Sequence, residues 1–203
     1  MSERIFRIAI DGPSGAGKST IAKAVAKRLC IDYIDTGAMY RAIGLKMLAE
    51  TEIDFDRGNV FLDGEIVNDR IRTQEVSKAA SDCSALGMVR TKLVELQRKM
   101  GQAKSVIMDG RDIGTNVLTD AEYKYFLTAT AEERARRRHR ELLDKGQESS
   151  FEEVLEQIVQ RDYNDSNRAL NPLRRADDAE EIDSTDMTVD QVVDYICGKV
   201  ELK

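Results

Sequence analysis

The sequence predicts an α/β fold: a mostly parallel sheet with helices on both faces and a small antiparallel insertion. Three observations predict it. Short apolar runs, Ile5–Ile10, Ile31–Ile34, Ser105–Asp109 and Tyr123–Leu127, read as strands, and stretches with a helical apolar period lie between them. The first strand runs into Gly12-Pro13-Ser14-Gly15-Ala16-Gly17-Lys18-Ser19, which fits G-x-x-x-x-G-K-[ST], and a helix-forming run follows from Ser19 to Leu29. That is the strand–loop–helix setting a phosphate-binding loop requires. Finally, 203 residues with two prolines, no low-complexity tract and no internal repeat can bury one substantial core.

Composition narrows the function classes. A net charge of −6 argues against an extended nucleic-acid surface but allows a local basic cleft. Cys30, Cys83 and Cys197 are widely spaced and form no C-x-x-C pair, so they read as reduced cytosolic thiols. No apolar run approaches the ~18 residues of a membrane span. The N-terminus enters a charged segment and then a strand, with no signal-peptide pattern, so the expected location is cytoplasmic.

In the loop, the glycines let backbone N–H groups turn inward around phosphate oxygens. The helix that starts near Lys18 aims the positive end of its dipole at the same oxygens. The Lys18 ammonium reaches the β/γ-phosphates, and the Ser19 hydroxyl is a ligand for Mg²⁺. Next, Ile31–Ile34 ends in Asp35-Thr36-Gly37-Ala38-Met39-Tyr40-Arg41, where Asp35 or Thr36 caps a helix to about Ala49. Arg41, near that helix start, opposes the dipole; a surface arginine and a phosphate ligand are both open readings.

Asp63-Gly64 between apolar residues signals a hairpin, which inside an α/β chain reads as an insertion. From Arg72, two helices are expected, divided by Gly87 and carrying Ser81 and Arg90. The strand ending in Asp109 then suggests a carboxylate that helps hold Mg²⁺, although many strands end in Asp for turn reasons. Gly110-Arg111-Asp112-Ile113-Gly114-Thr115 follows at the carboxyl end of that strand, the edge where open α/β sheets bind ligands.

Thr128 or Thr130 caps a helix from Ala131 to Leu143 that holds Arg134, Arg136, Arg137, Arg138 and Arg140. The five cannot share one face, so at most two or three serve one ligand, while Glu132, Glu133 and Glu141 pair with others. His139, the only histidine, is expected in solvent. After a polar loop, Ser150-Phe151-Glu152-Glu153 is a capping box, and the helix it starts leads to Arg161 through Arg168. Two helices joined by a polar loop, with arginines at both ends, suit a small lid over a nucleotide. A strand at Glu181–Ser184 and a helix at Val189–Val200 close the chain.

With these pieces placed, the chain resembles the bacterial cytidylate kinases, within the nucleoside monophosphate kinases, over nearly its whole length. The marks are Ile10 through Thr20, Asp35 through Arg41, Arg72-Thr73-Gln74-Glu75-Val76, Asp109 through Thr115, and Arg161-Asp162 with Asp165 and Arg168. The phosphate loop is generic; the Asp35–Arg41 and Asp109–Thr115 segments are far more specific. Two departures stand out: a shorter stretch between Leu48 and Phe61, and Thr119 where proline is expected.

The resemblance implies a P-loop NTPase architecture, three layers α/β/α around a five-stranded parallel sheet of order 2-3-1-4-5. It implies one kinase domain over 1–203, made of a core (about 1–49, 101–140 and 170–203), a monophosphate-binding insertion (about 50–100) and a lid (about 141–169). It implies transfer of the ATP γ-phosphoryl group to CMP or dCMP, in pyrimidine nucleotide metabolism, with Mg²⁺ accompanying ATP. By position, Gly12 through Thr20 bind ATP, and Lys18, Arg111, Arg137 and Arg168 form the catalytic set. Arg41, Arg111 and Arg168 hold the acceptor phosphate, in a CMP site that also includes Thr36, Tyr40 and Asp109. Ser81, Arg90 and Asp112 read the cytosine, Arg161 and Asp165 hold the sugar, and Arg137 comes from the lid to the transferring group.

A phosphate acceptor has its second pKa near ~6 and is largely ionised at neutral pH, so it needs no general base. Another phosphate-loop kinase is the nearest rival, acting on UMP, AMP or a small hydroxylic acceptor; a hydroxyl would need a base such as Asp35 or Asp109. A nucleotide-binding module without transferase activity is the rival from another class, and it would lack a second anion site. A monomer is expected, with neither nucleic acid nor membrane as partner.

Overall fold

The computed structural model describes residues 5–45, 53–56, 59–72, 76, 79–80, 83, 86–144 and 146–201. Its main sheet holds β1 (Arg7–Asp11), β2 (Asp32–Asp35), β6 (Val106–Gly110), β7 (Tyr123–Thr128) and β8 (Glu180–Asp183), all parallel. The spatial order is β2-β6-β1-β7-β8. Numbered along the chain among themselves, these five strands run 2-3-1-4-5, the expected order. The central strand β1 pairs with β6 from Arg7↔Val106 to Asp11↔Gly110 and with β7 on its other edge.

Strand alternation divides the core in two. Ile8, Ile10 and Ile107 face one side, packed against Ile21 and Val25 of α1 (Lys18–Leu29) and Val192 and Ile196 of α6 (Val189–Glu201). Ala9, Val106 and Met108 face the other, against Ala38, Met39 and Ala42 of α2 (Thr36–Leu45) and Val89 and Leu93 of α3 (Gly87–Ala103).

The hairpin is present and larger than its sequence signal. β3 (Ile53–Asp56), β4 (Asn59–Leu62) and β5 (Glu65–Ile66) form an antiparallel sheet of three strands. Asp63 (φ 51) and Gly64 (φ 81) are both left-handed, as a two-residue turn between right-twisted strands demands. β3 had a signal that the sequence reading passed over: Ile53 and Phe55 alternate with aspartates, and Gly58 follows before Asn59. The segment from Thr73 to Glu75, Ser81 and the expected end of α2 near Ala49 lie outside the described residues. Gly87 opens α3, the second of the two helices expected here; most of the stretch expected to form the first lies outside the described residues.

Two further helices stand on the carboxyl side of β7. α4 (Ala131–Asp144) is capped by Thr130, whose Oγ1 accepts from the Glu133 amide at 3.3 Å. α5 (Phe151–Asn167) starts on the expected reciprocal capping box of Ser150 and Glu153. The two helices share a small core of Ala135, Leu142, Val154 and Ile158. His139 corrects the solvent expectation: it is half-buried, its Nε2 donates to the Ser149 carbonyl at 2.9 Å, and its ring packs edge-on to Phe151. The loop that folds back from α4 to α5 covers it.

Candidate functional site

The carboxyl ends of β1, β2 and β6 open into a cleft of about 800 Å³. Its floor is the phosphate loop. A Cβ on Gly12 would stand 2.0 Å from the Leu127 carbonyl oxygen, so β7 admits only glycine where the loop leaves β1. Gly17 (φ 88) is the left-handed N-cap of α1. Lys18, first in that helix, is buried and donates from Nζ to the Pro13 carbonyl at 2.7 Å. Burial, and then the charge of Arg111, push its pKa well below the usual lysine range, with Asp109 opposing. An anionic phosphate is what such a lysine lacks.

Asp109 sits beside the loop. Its Oδ2 accepts from Ser19 Oγ at 2.9 Å and its Oδ1 from the Tyr33 hydroxyl at 2.9 Å. Asp35 lies opposite it in the parallel register of β2 and β6. Burial, and then this second carboxylate, raise Asp109 to about 6. The Ser19 hydroxyl and the Asp109 carboxylate are therefore already together, with the Asp35 carboxylate beside them. That donor set suits Mg²⁺, which takes one or two protein oxygens and keeps its remaining positions for water and phosphate. Tyr33 holds the carboxylate from behind, and its own ionisation is pushed upward by burial and by Asp109.

The far wall carries the arginines. Asp35 caps α2 by accepting from the Ala38 amide at 2.8 Å, and its other oxygen accepts from Arg41 Nη2 at 2.9 Å. Arg41 Nε is buried and has no partner among the described residues. Arg111 Nε donates to Asp165 at 2.7 Å. For Asp165, burial works against ionisation, but Arg111, together with Arg161 and Arg168, outweighs it and the pKa is lowered. Arg161 opens on the cleft, accessible to solvent yet enclosed by its walls; that enclosure and Arg111 lower its pKa.

Asp112 is buried between two cations, accepting from Arg90 Nη1 at 3.0 Å and Arg168 Nη2 at 3.1 Å. Arg90 also lies over the Tyr40 ring, 5.6 Å from its centroid. A π-helical turn, Ile113–Val117, carries Asp112 into place. Asp11 anchors it, its two oxygens accepting from the Ile113 and Gly114 amides at 2.7 Å each.

The arginine-rich helix α4 divides its labour as geometry requires. Arg137 donates to Glu133 at 3.1 Å and to the Ser184 carbonyl at 2.7 Å, and lines the donor end of the cleft with Arg140. Arg136 and Arg138 make exposed pairs with Glu133 and Glu141. Arg134 turns inward and is buried.

Comparison with known proteins decides the family. The cytidylate kinase family profile matches residues 8–56 and 45–202. Cytidylate kinases of Clostridioides difficile (strain 630) and Caldicellulosiruptor saccharolyticus are 50% and 52% identical, over 96% and 94% of this chain and 98% and 93% of their own length. The chain belongs to the cytidylate kinase family. Among solved structures, a shikimate kinase from Bacteroides thetaiotaomicron matches with TM-score 0.57 at 16% identity, over 98% of this chain and 99% of that one. That likeness shows the fold alone.

The residues that the family resemblance marked converge on this one cleft. Ser14 through Thr20, Thr36, Tyr40, Arg41, Arg90, Asp109, Arg111, Asp112, Arg137, Arg161, Asp165 and Arg168 all line it. Gly12 and Pro13 shape the loop without lining the cleft, and Ser81 lies outside the described residues. Sequence reasoning missed Asp11, Tyr33, Arg134, Arg140 and the Ser184–Val189 segment. Asp11 had a signal, its place directly before Gly12; the others had none that set them apart from neighbours of the same type.

Proposed function

We propose that this chain transfers the γ-phosphoryl group of ATP to CMP and dCMP, giving ADP and the corresponding diphosphate. One observation carries the reading: a phosphate loop and a second, arginine-built anion site, with a carboxylate at its far end, share one cleft. A nucleotide-binding module without transfer chemistry has no use for that second site. Membership of the cytidylate kinase family supports cytidine as the acceptor nucleoside.

The loop and Lys18 would cradle the ATP phosphates. Ser19 and Asp109 would hold Mg²⁺, which would supply neutralisation of the phosphate charge. Arg41, Arg111 and Arg168 would draw in the acceptor phosphate against the repulsion of ATP. Arginine suits this, with its fixed charge and forked donors. Arg161 and Asp165 would hold the sugar, while Arg90, Asp112 and Ser81 read the base. An acceptor phosphate oxygen then attacks the γ-phosphorus, forming one P–O bond as the bond to ADP breaks. No proton has to leave that oxygen, so catalysis reduces to alignment and charge stabilisation. Arg137 would leave the Ser184 carbonyl and Glu133 to meet the transferring group as α4 and α5 close, acting as the lid, over a monophosphate site that the insertion completes.

No helix among the described residues is long and apolar enough to cross a membrane, which is consistent with a cytoplasmic enzyme of pyrimidine metabolism. A coupled ADP-release assay with ATP, Mg²⁺ and a panel of CMP, dCMP, UMP, AMP and a hydroxylic acceptor tests the reading. CMP and dCMP should far exceed the others. A better hydroxylic acceptor, or ATP binding with no transfer to any acceptor, would overturn it.

A further inference from the structure

We propose that Arg134 and Asp162 are positioning residues, a link through which occupation of the phosphate loop tightens the acceptor site; the inference rests on the kinase reading above. Neither side chain lines the cleft. Arg134 is 5% exposed and spreads its guanidinium over three separate pieces of chain. Nη1 donates to the Ser14 carbonyl of the phosphate loop at 2.9 Å, and Nε to the Ala129 carbonyl at the end of β7 at 2.9 Å. Nη2 donates to Asp162 Oδ2 on α5 at 2.6 Å. The loop also rests directly on this arginine: a Cβ on Gly15 would stand 3.2 Å from Arg134 Cβ.

α5 carries the other half of the link. Arg161 and Asp165, four apart on α5, and Arg168 at its C-cap line the cleft, and Asp165 and Arg168 hold Arg111 and Asp112. Asp162, one position further round, turns to α4 and takes Arg134. The face of α5 that meets the acceptor is thus tied to the floor that meets ATP through one planar guanidinium. Its hydrogen bonds are charge-assisted and lie in buried or partly buried positions, and the planar fork itself has no torsion to absorb a shift of the Ser14 carbonyl. The link is also incompletely satisfied, because Asp162 Oδ1 is buried with no partner among the described residues. A buried acceptor left over favours any rearrangement that engages it, so a shift of α5 that gives Asp162 Oδ1 a partner is favoured when phosphate reshapes the loop.

The test is calorimetric titration of CMP into the full-length protein, with and without a non-hydrolysable ATP analogue and Mg²⁺. In the wild type the analogue should tighten CMP binding by about 5-fold or more, the lower range of site-to-site coupling. Asp162→Asn should bring that factor close to one, while each ligand alone binds within about twofold of wild type. Asp162→Glu, which keeps the charge, should restore part of it. A pair that only holds the fold would lower the melting temperature and leave the ratio untouched. The link is overturned by an unchanged ratio in Asp162→Asn, by a wild-type ratio of one, or by an asparagine variant that no longer folds. Wild-type turnover of CMP is measured in parallel: failure there overturns the kinase reading, whereas normal turnover with an unchanged ratio removes the link alone.

Discussion

Replacing Asp112 by asparagine probes the proposed acceptor site at its most selective point. A carboxylate offers about four lone-pair positions. Here Oδ2 accepts from Arg90 and Asn116, and Oδ1 from Arg168. Among the described residues one position on Oδ1 is therefore open, and a cytosine amino group would fill it, whereas uracil presents a carbonyl oxygen that the carboxylate repels. One good polar contact to a base edge is worth about 1–3 kcal/mol, so kcat/KM for CMP should fall roughly 5–150-fold and that for UMP far less. The substitution also costs Arg90 its buried carboxylate, in a pair whose side chains are 5% and 9% exposed. Breaking such a pair costs about 3–5 kcal/mol, an upper bound here because asparagine keeps one acceptor. For a chain of this size each kcal/mol moves the midpoint by about 2–4 °C, so Tm should drop by at most about 6–20 °C. Kinetics with both substrates, run well below either midpoint, separate the two effects. A lower Tm with an unchanged CMP/UMP ratio would show that Asp112 only organises its turn, and would refute base reading.

Lys18→Ala should lower kcat about 10²–10³-fold, the loss of one preorganised cationic contact, with far-UV circular dichroism unchanged; wild-type turnover would remove Lys18 from the ATP site. Arg111→Ala should weaken CMP binding far more than ATP binding, and equal losses in separate titrations would mean that it serves closure or the fold. Asp11 gives a pH signature. Burial raises its carboxyl from 3.8 to about 6, against the amides of Gly114 and Ile113 that favour the anion. The folded protein therefore holds this proton more firmly than the unfolded chain, so stability falls as pH rises from about 4 to 6 and is level above, by on the order of 3 kcal/mol. Asp11→Asn lacks that slope, so its Tm relative to wild type should rise across the same window; a gap that ignores pH would refute the buried-anion account.

What the sequence revealed was local. The phosphate loop, the Asp63-Gly64 turn, the Ser150–Glu153 capping box and four of the five main-sheet strands are written in a few adjacent residues each, where backbone conformation and side-chain type constrain one another directly. The fifth, β8, was placed within a residue. What it concealed depends on partners far along the chain. Arg134 meets Ser14 from 120 residues away and looks, in sequence, like the four arginines around it. Asp11 meets Gly114 across 103 residues. The sharing of Asp112 between Arg90 and Arg168 exists only once α3, the π-turn and the end of α5 are packed together. The roles proposed for the acceptor residues were drawn from resemblance to a family; charge and position alone had pointed only to Arg41 and to the stretch around Arg111 and Asp112.

The placement of β1 at the centre of the sheet has a consequence for how the chain is made. β1 leaves the ribosome before the other described strands, yet both of its neighbours lie beyond residue 105, and Arg7 waits 99 residues for Val106. β2 pairs with the same late strand. At roughly 5–20 residues per second, the interval from β1 to β6 is about 5–20 s. Through that time Ile8, Ala9 and Ile10, fully buried in the finished protein, have no sheet to join. Among the described strands, only β3, β4 and β5 pair from contiguous residues. The nascent chain therefore carries its whole phosphate loop before it owns the sheet that holds the loop in shape, and the two halves of the proposed metal site, Ser19 and Asp109, meet only when β6 emerges.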